Sequence, residues 1–163
     1  MHIKPQYILG IDPGLSGALA LFDPETSDIE VLDMPIHNVT VNGKKKKTLD
    51  LYALARWIDV NASRIREAII EDPHAMPGQG VSSSFNFGFG CGVAQTIVAS
   101  ALIPMTLVRP ATWKREMKLT ADKDISRRRA SMVFPQHSDK WALKKQDGRA
   151  EAVLLALYRS KMR

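Results

Sequence analysis

Asp147 and Glu151 stand four residues apart near the end of a 163-residue chain, in line with Leu154 and Tyr158. On a helix that spacing stacks both acids on one face, along the edge of an apolar stripe. Like charges so placed cost roughly a few tenths of a kcal/mol, or raise each other's pKa, unless a cation lies between them. Lys144, Lys145 or Arg149 could supply that cation, and so could a bound metal. Two further acids close apolar runs: Asp12 follows Tyr7-Ile8-Leu9-Gly10-Ile11, and Glu71 follows Ala68-Ile69-Ile70. Each could simply cap a turn or pair with a nearby Lys or Arg. Each could also emerge at a sheet edge as a working carboxylate. Four acids on three elements, without a Cys or His cluster, form a hard-oxygen donor set that suits Mg²⁺, or Mn²⁺ in its place, better than zinc. Two such ions about 4 Å apart are the arrangement that hydrolyses phosphodiesters, so phosphoryl transfer is the expected chemistry.

The elements that must position these acids can be read from pattern. Tyr7 to Ile11 is a buried strand stopped by Asp12-Pro13-Gly14; Ala18 to Phe22 and Ile29 to Met34 complete an antiparallel meander across the turn-rich Asp23 to Asp28. His37 to Lys47 reads as a polar loop containing Asn42-Gly43, and a helix starts near Asp50 with Leu51, Leu54, Ala55 and Ile58 on its apolar face. Ala68 to Glu71 is a strand. The Gly, Ser and Phe-rich stretch from Pro73 to Gly92 reads as loop, followed by an apolar helix from Val93 to Ile103 and a strand from Met105 to Val108. Short helices are expected from about Thr112 to Met117 and Asp124 to Phe134, and a long one from about Asp139 to Ser160. A meander followed by strand and helix alternation predicts one α/β domain over residues 1–163 with a mixed sheet.

Composition narrows the partners. Lys and Arg number 23 against 17 Asp and Glu, a net charge of +6 that favours a polyanion. The basic residues gather at Lys44, Lys45, Lys46 and Lys47, at Lys114 with Arg115, at Arg127 to Arg129, and at Lys144 with Lys145. No apolar run approaches the roughly 20 residues of a membrane span. With Cys91 the only cysteine and no signal-like start, the expected setting is the cytoplasm.

Four segments together resemble the RuvC-like branch of the RNase H superfamily, the phage-type resolvases in particular. They are Ile8-Leu9-Gly10-Ile11-Asp12-Pro13-Gly14, Ile69-Ile70-Glu71, Val108-Arg109-Pro110-Ala111-Thr112-Trp113-Lys114, and Asp147-Gly148-Arg149-Ala150-Glu151-Ala152. The resemblance implies an RNase H-like fold with a mixed five-stranded sheet flanked by helices. It implies a homodimer that makes paired nicks in four-way DNA junctions, leaving 5′-phosphates, in a bacterial cell and with phage origin open. It assigns two Mg²⁺ to Asp12, Glu71, Asp147 and Glu151, and places Lys114 and Lys123 at positions that support the scissile phosphate. Glu151 stands where an Asp is usual, and Asp72-Pro73-His74 where an aromatic residue follows the second acid.

Other residues carry two readings each. Phe85 and Phe87 could stack on splayed bases or pack in the core or a dimer contact. The four lysines could clamp DNA or solubilise a hairpin tip. His74 could contact DNA near the metals or be an idle loop residue. Arg109, Arg115, Arg127 and Arg128 are phosphate candidates, with some of the arginine run facing water. Two other functions compete with the nuclease: a junction-binding protein without catalysis, and an actin-like ATP-binding protein using Asp12 to Gly17 as a phosphate loop. The second needs two lobes, far more chain than 163 residues.

Overall fold

The computed structural model describes residues 5–72, 80–120 and 122–162, and of Lys123 the backbone. Strands β1 (Tyr7–Asp12), β2 (Ala18–Phe22) and β3 (Ile29–Asp33) form the expected antiparallel meander. β4 (Ile36–Val41) and β5 (Lys44–Leu49) pair with each other in a separate two-stranded sheet. After α1 (Leu51–Asn61), β6 (Ile65–Glu71) runs parallel to β1; after α2 (Val81–Ser100), β7 (Met105–Val108) runs parallel to β6. Helices α3 (Pro110–Glu116), α4 (Lys123–Val133) and α5 (Asp147–Lys161) complete the chain. The main sheet has the order β3-β2-β1-β6-β7, the mixed five-stranded sheet expected. Among the described residues no helix is long and apolar enough to cross a membrane.

Successive strand residues face opposite ways, so β1 and β6 each feed two cores. Leu9, Ile11, Ala68 and Ile70 pack with Leu54, Ile58, Ala94 and Val98 of α1 and α2. Ile8 and Ile69 pack on the other side with Val153, Leu154 and Leu157 of α5. The same alternation carries Asp12 and Glu71 to the α5 side of the sheet. Helix α5 is buried on nearly every side, from Asp147 to Tyr158, as a helix apolar round most of its circumference must be.

Four local expectations need correction. The polar loop from His37 to Lys47 is a hairpin; strands exposed on both faces show no alternation of polarity. The loop expected to reach Gly92 ends earlier, because α2 begins at Val81. Three glycines and a Phe-Gly alternation disguise it, and buried Cys91, Ala94 and Val98 on one face hold it helical against its propensity. The long helix expected from Asp139 is two 3₁₀ turns, Pro135–Trp141 and Lys144–Gln146, before α5 starts at Asp147. In α1, which Asp50 caps by accepting from the Ala53 amide at 3.0 Å, Leu54, Ile58 and Asn61 are buried, while Leu51 and Ala55 face outward.

Close backbone approach explains the glycines. A Cβ on Gly10 would lie 2.0 Å from the Ala152 carbonyl oxygen, and one on Gly148 would lie 2.6 Å from the carbonyl of Ser16. A Cβ on Gly90 would meet the Pro13 carbonyl at 2.6 Å, whereas Gly88 and Gly92 have open space. Gly10→Ala should therefore destabilise the protein by roughly 2–3 kcal/mol and lower Tm by roughly 5–10 °C in circular dichroism melts. Gly88→Ala and Gly92→Ala should leave stability unchanged or raise it by up to about 1 kcal/mol. Equal melting of Gly10→Ala and wild type would rule out the contact between β1 and α5.

Candidate active site

Asp12 ends β1, Glu71 ends β6, and the parallel register pairs Ile11 with Ile70, one step before both acids. α5 crosses this corner with Asp147 and Glu151 in its first two turns, both buried. The third contributor is α3, entered directly from β7 through Arg109 and started by Pro110 at its first position, where the missing amide costs nothing. It delivers Trp113, fully buried, and Lys114.

The contacts form one network. Trp113 Nε1 donates to Glu71 Oε1 at 2.9 Å. Lys114 Nζ donates to Glu151 Oε2 at 2.9 Å and lies 3.8 Å from Glu71 Oε1. Ser126 Oγ, buried in α4, donates to Glu151 Oε1 at 3.0 Å. The Gly14 amide donates to Asp12 Oδ1 at 3.3 Å. Burial, then the charges of Glu71 and Glu151, push the Asp12 carboxyl up to about 7, against the Gly14 amide and Lys114. Burial also raises Glu71, opposed by Lys114 and Trp113. Burial works against the Lys114 charge, but Glu151, Glu71 and Asp12 outweigh it and hold the ammonium above its ordinary pKa.

Among the described side chains, Glu71 and Glu151 crowd round one ammonium, that of Lys114. As placed, no three His, Cys, Asp or Glu side chains among the described residues converge on one ion position. Glu71 and Glu151 gather on Lys114 Nζ instead. Arg149, one candidate counterion for the α5 acids, is engaged elsewhere: it grips Asp33 of β3 at 2.6 and 2.7 Å and donates to the Lys140 carbonyl.

The remaining candidates are spread over several elements. Lys123 opens α4 as its first residue; His74 lies outside the described residues. Arg109 and Arg115 are exposed on α3 and its entry. Arg127 is committed to Asp124 at 2.5 Å and to the Ala142 carbonyl at 3.0 Å, while the Arg128 side chain is largely exposed. Phe85 is exposed, and Phe87 is partly buried and lines a groove together with Gly14. Lys44 to Lys47 are exposed along β5. Sequence pattern gives Trp113 and Ser126 no role. Trp113 is visible beside Lys114, but its partner is 42 residues away; Ser126 carries a weaker signal, as a small residue four before buried Ala130 on a charged helix.

No protein-family model matches the sequence, and no curated protein matches it by sequence. In structure the chain is similar to Thermus thermophilus RuvC in complex with a Holliday junction substrate, at TM-score 0.57 and 15% identity over 95% of this chain and 92% of that one. A second Thermus thermophilus RuvC structure matches at TM-score 0.50 and 15% identity, covering 95% and 93%. The yeast mitochondrial Holliday junction resolvase Ydc2 matches at TM-score 0.54 and 13% identity, covering 97% and 79%. The fold is the RNase H-like α/β fold of these proteins.

The Asp12 shift has a signed consequence. Its folded pKa, about 7, lies above the unfolded value near 3.8, so the group costs nothing well below pH 3.8, where both states are protonated. Between those values rising pH drains stability, and above pH 7 the full cost applies. In EDTA, Asp12→Asn should therefore melt roughly 5–10 °C above wild type at pH 8 and within about 1 °C of it well below pH 3.8. A difference that does not grow with pH would sink this electrostatic account.

Proposed function

We propose that the protein is a divalent-metal-dependent endodeoxyribonuclease that resolves four-way and other branched DNA by paired phosphodiester hydrolysis leaving 5′-phosphates. The observation that carries this reading is the corner where Asp12 and Glu71, from adjacent parallel strands, come within electrostatic reach of Glu151 of α5, with buried Asp147 one turn before it on the same helix. Similarity in fold to RuvC bound to a Holliday junction supports DNA as substrate. The donor set, four carboxylates with oxygen donors only, fits Mg²⁺ or Mn²⁺ in chemistry. Asp12, Glu71, Asp147 and Glu151 would hold two such ions, once Glu71 and Glu151 turn from Lys114. When bound, the ions supply Lewis acidity and charge stabilisation to hydrolysis of the phosphodiester.

The chain's own residues do the rest. Lys114 keeps its proton at Nζ, and released from Glu151 it can donate to a phosphate oxygen. Trp113 and Ser126 each anchor one carboxylate at a single oxygen, Glu71 at Oε1 and Glu151 at Oε1. Arg149 ties α5 to β3 through Asp33 and sets the depth at which the helix presents its acids. Lys123 and the exposed Arg109, Arg115 and Arg128 supply further phosphate contacts round the centre.

Paired nicks need two active sites related by a two-fold axis, which a homodimer provides from one chain. Helices α1 and α2 leave an apolar cleft of about 650 Å³ between Tyr52, Ala55, Phe89, Val93 and Ile97, with Tyr52 91% exposed. This cleft, with Gly92 open beside it, is the surface on which a second copy would close.

Asp12→Asn, Glu71→Gln, Asp147→Asn and Glu151→Gln should each cut junction cleavage at least about 100-fold in Mg²⁺ while retaining junction binding. Near wild-type cutting by three of the four would refute the proposed centre. Tyr52→Glu with Phe89→Glu should give a folded monomer by sedimentation that nicks single strands without pairing the nicks. A wild type that sediments as monomer with junction DNA present would exclude the paired mechanism.

A further inference from the structure

The β4–β5 hairpin stands outside the main sheet, closed by Asn42 and Gly43 at φ 50° and 73°. Both central residues in that region make the tight turn that suits hairpin twist. Across it Lys44 pairs with Val41, Lys45 with Thr40, Lys46 with Val39 and Lys47 with Asn38. All four lysines are exposed, and among the described residues none has a carboxylate within 4.0 Å.

Their two faces are not equivalent. Alternation puts Lys45 and Lys47 on the side of Leu49, which is 3% exposed in the core, and puts Lys44 and Lys46 on the opposite side. Burial of Leu49 therefore fixes Lys47 toward the body of the protein. There Lys47 and Ile36 wall a groove of about 370 Å³, whose far side is Leu15 and Ser16 from the loop after Asp12 and Asn86 and Phe87 from the start of α2. No acid lines it. It opens beside Gly14, whose amide holds the Asp12 carboxylate.

Resting on the nuclease reading, we propose that this groove is a strand-binding subsite that takes one DNA strand as it leaves the candidate centre. Lys47 and Lys45 neutralise its phosphates. Asn86 and Ser16 offer hydrogen bonds to base or sugar, and Phe87 with Leu15 gives the apolar surface on which a base face rests. The cations sit on the groove wall, the acids sit beyond Gly14 with Asp12, and that order separates the grip on the backbone from the cutting of it. Lys44 and Lys46 face away and take no part.

The test is fluorescence anisotropy of a labelled four-way junction in EDTA, with Kd followed against KCl. Removing one lysine–phosphate ion pair should flatten the log–log salt slope by about 0.7, so Lys45→Gln with Lys47→Gln should flatten it by about 1.4. Lys44→Gln with Lys46→Gln, of equal charge change, should leave the slope within about 0.3 of wild type. Phe87→Leu, which keeps an apolar side chain on the groove wall, should weaken binding severalfold at every salt concentration without changing the slope; thermal melts check that each variant is folded. Equal flattening by both lysine pairs would overturn the subsite and leave the nuclease reading standing. Wild type without salt-dependent junction binding would overturn both, whereas loss of cleavage in the acid variants with an unchanged Lys45/Lys47 slope would overturn the subsite alone.

Discussion

The contact between the backbone of α5 and β1 is the constraint on which the rest of the molecule depends. Gly10 meets the Ala152 carbonyl so closely that no Cβ fits between them, and Gly148 meets the loop after Asp12 in the same way. A helix held at ordinary side-chain distance from a sheet would leave its acids a full layer away from the strand ends. Here the missing side chains bring Glu151 within electrostatic reach of Asp12 and Glu71. Two elements more than a hundred residues apart in the chain thereby share one centre.

That closeness has an electrostatic consequence. Oxygen donors with one described ammonium among them form a negative centre inside a chain of net charge +6. A carboxylate pushed up to about 7 is a destabilised group, tolerated because glycine contacts and buried apolar residues on both sides of the sheet hold the corner together. Lys114 relieves part of the repulsion and Trp113 and Ser126 orient what remains. The basic residues lie farther out, on β5, on α3 and its entry, and on α4, so a polyanion meets attraction before it meets the acids.

Much of this corner is legible in sequence because its signals are local. Asp12 and Glu71 each end an apolar strand, and Asp147 and Glu151 repeat at helical spacing, so element type and side-chain direction follow from a few neighbours. What sequence hides depends on distant partners or on cancelled patterns. Trp113 and Ser126 acquire their roles from Glu71 and Glu151, 42 and 25 residues away. The first half of α2 alternates Phe and Gly, a period that argues against a helix, yet tertiary burial of Cys91, Ala94 and Val98 decides its conformation. The hairpin is hidden for the opposite reason: exposed on both faces, it has no buried stripe to reveal it. Pattern alone starts α5 too early because the two 3₁₀ turns share the helix's polar and apolar spacing while turning a corner round buried Trp141.

Helix α2 shows how one element can serve several demands with a sequence that looks unsuited to any of them. Its Gly90 lies so close to the Pro13 carbonyl that no Cβ fits between them, so the helix buttresses the loop that follows Asp12. Farther along the helix Val93 and Ile97, with Phe89, line the cleft beside α1. A large residue at position 90 would push the helix off the loop, and small residues at every position would leave the cleft without an apolar wall. Alternating large and absent side chains meet both requirements at once. The helical propensity lost at three glycines is offset by packing on both sides, and for that reason propensity alone misreads this segment.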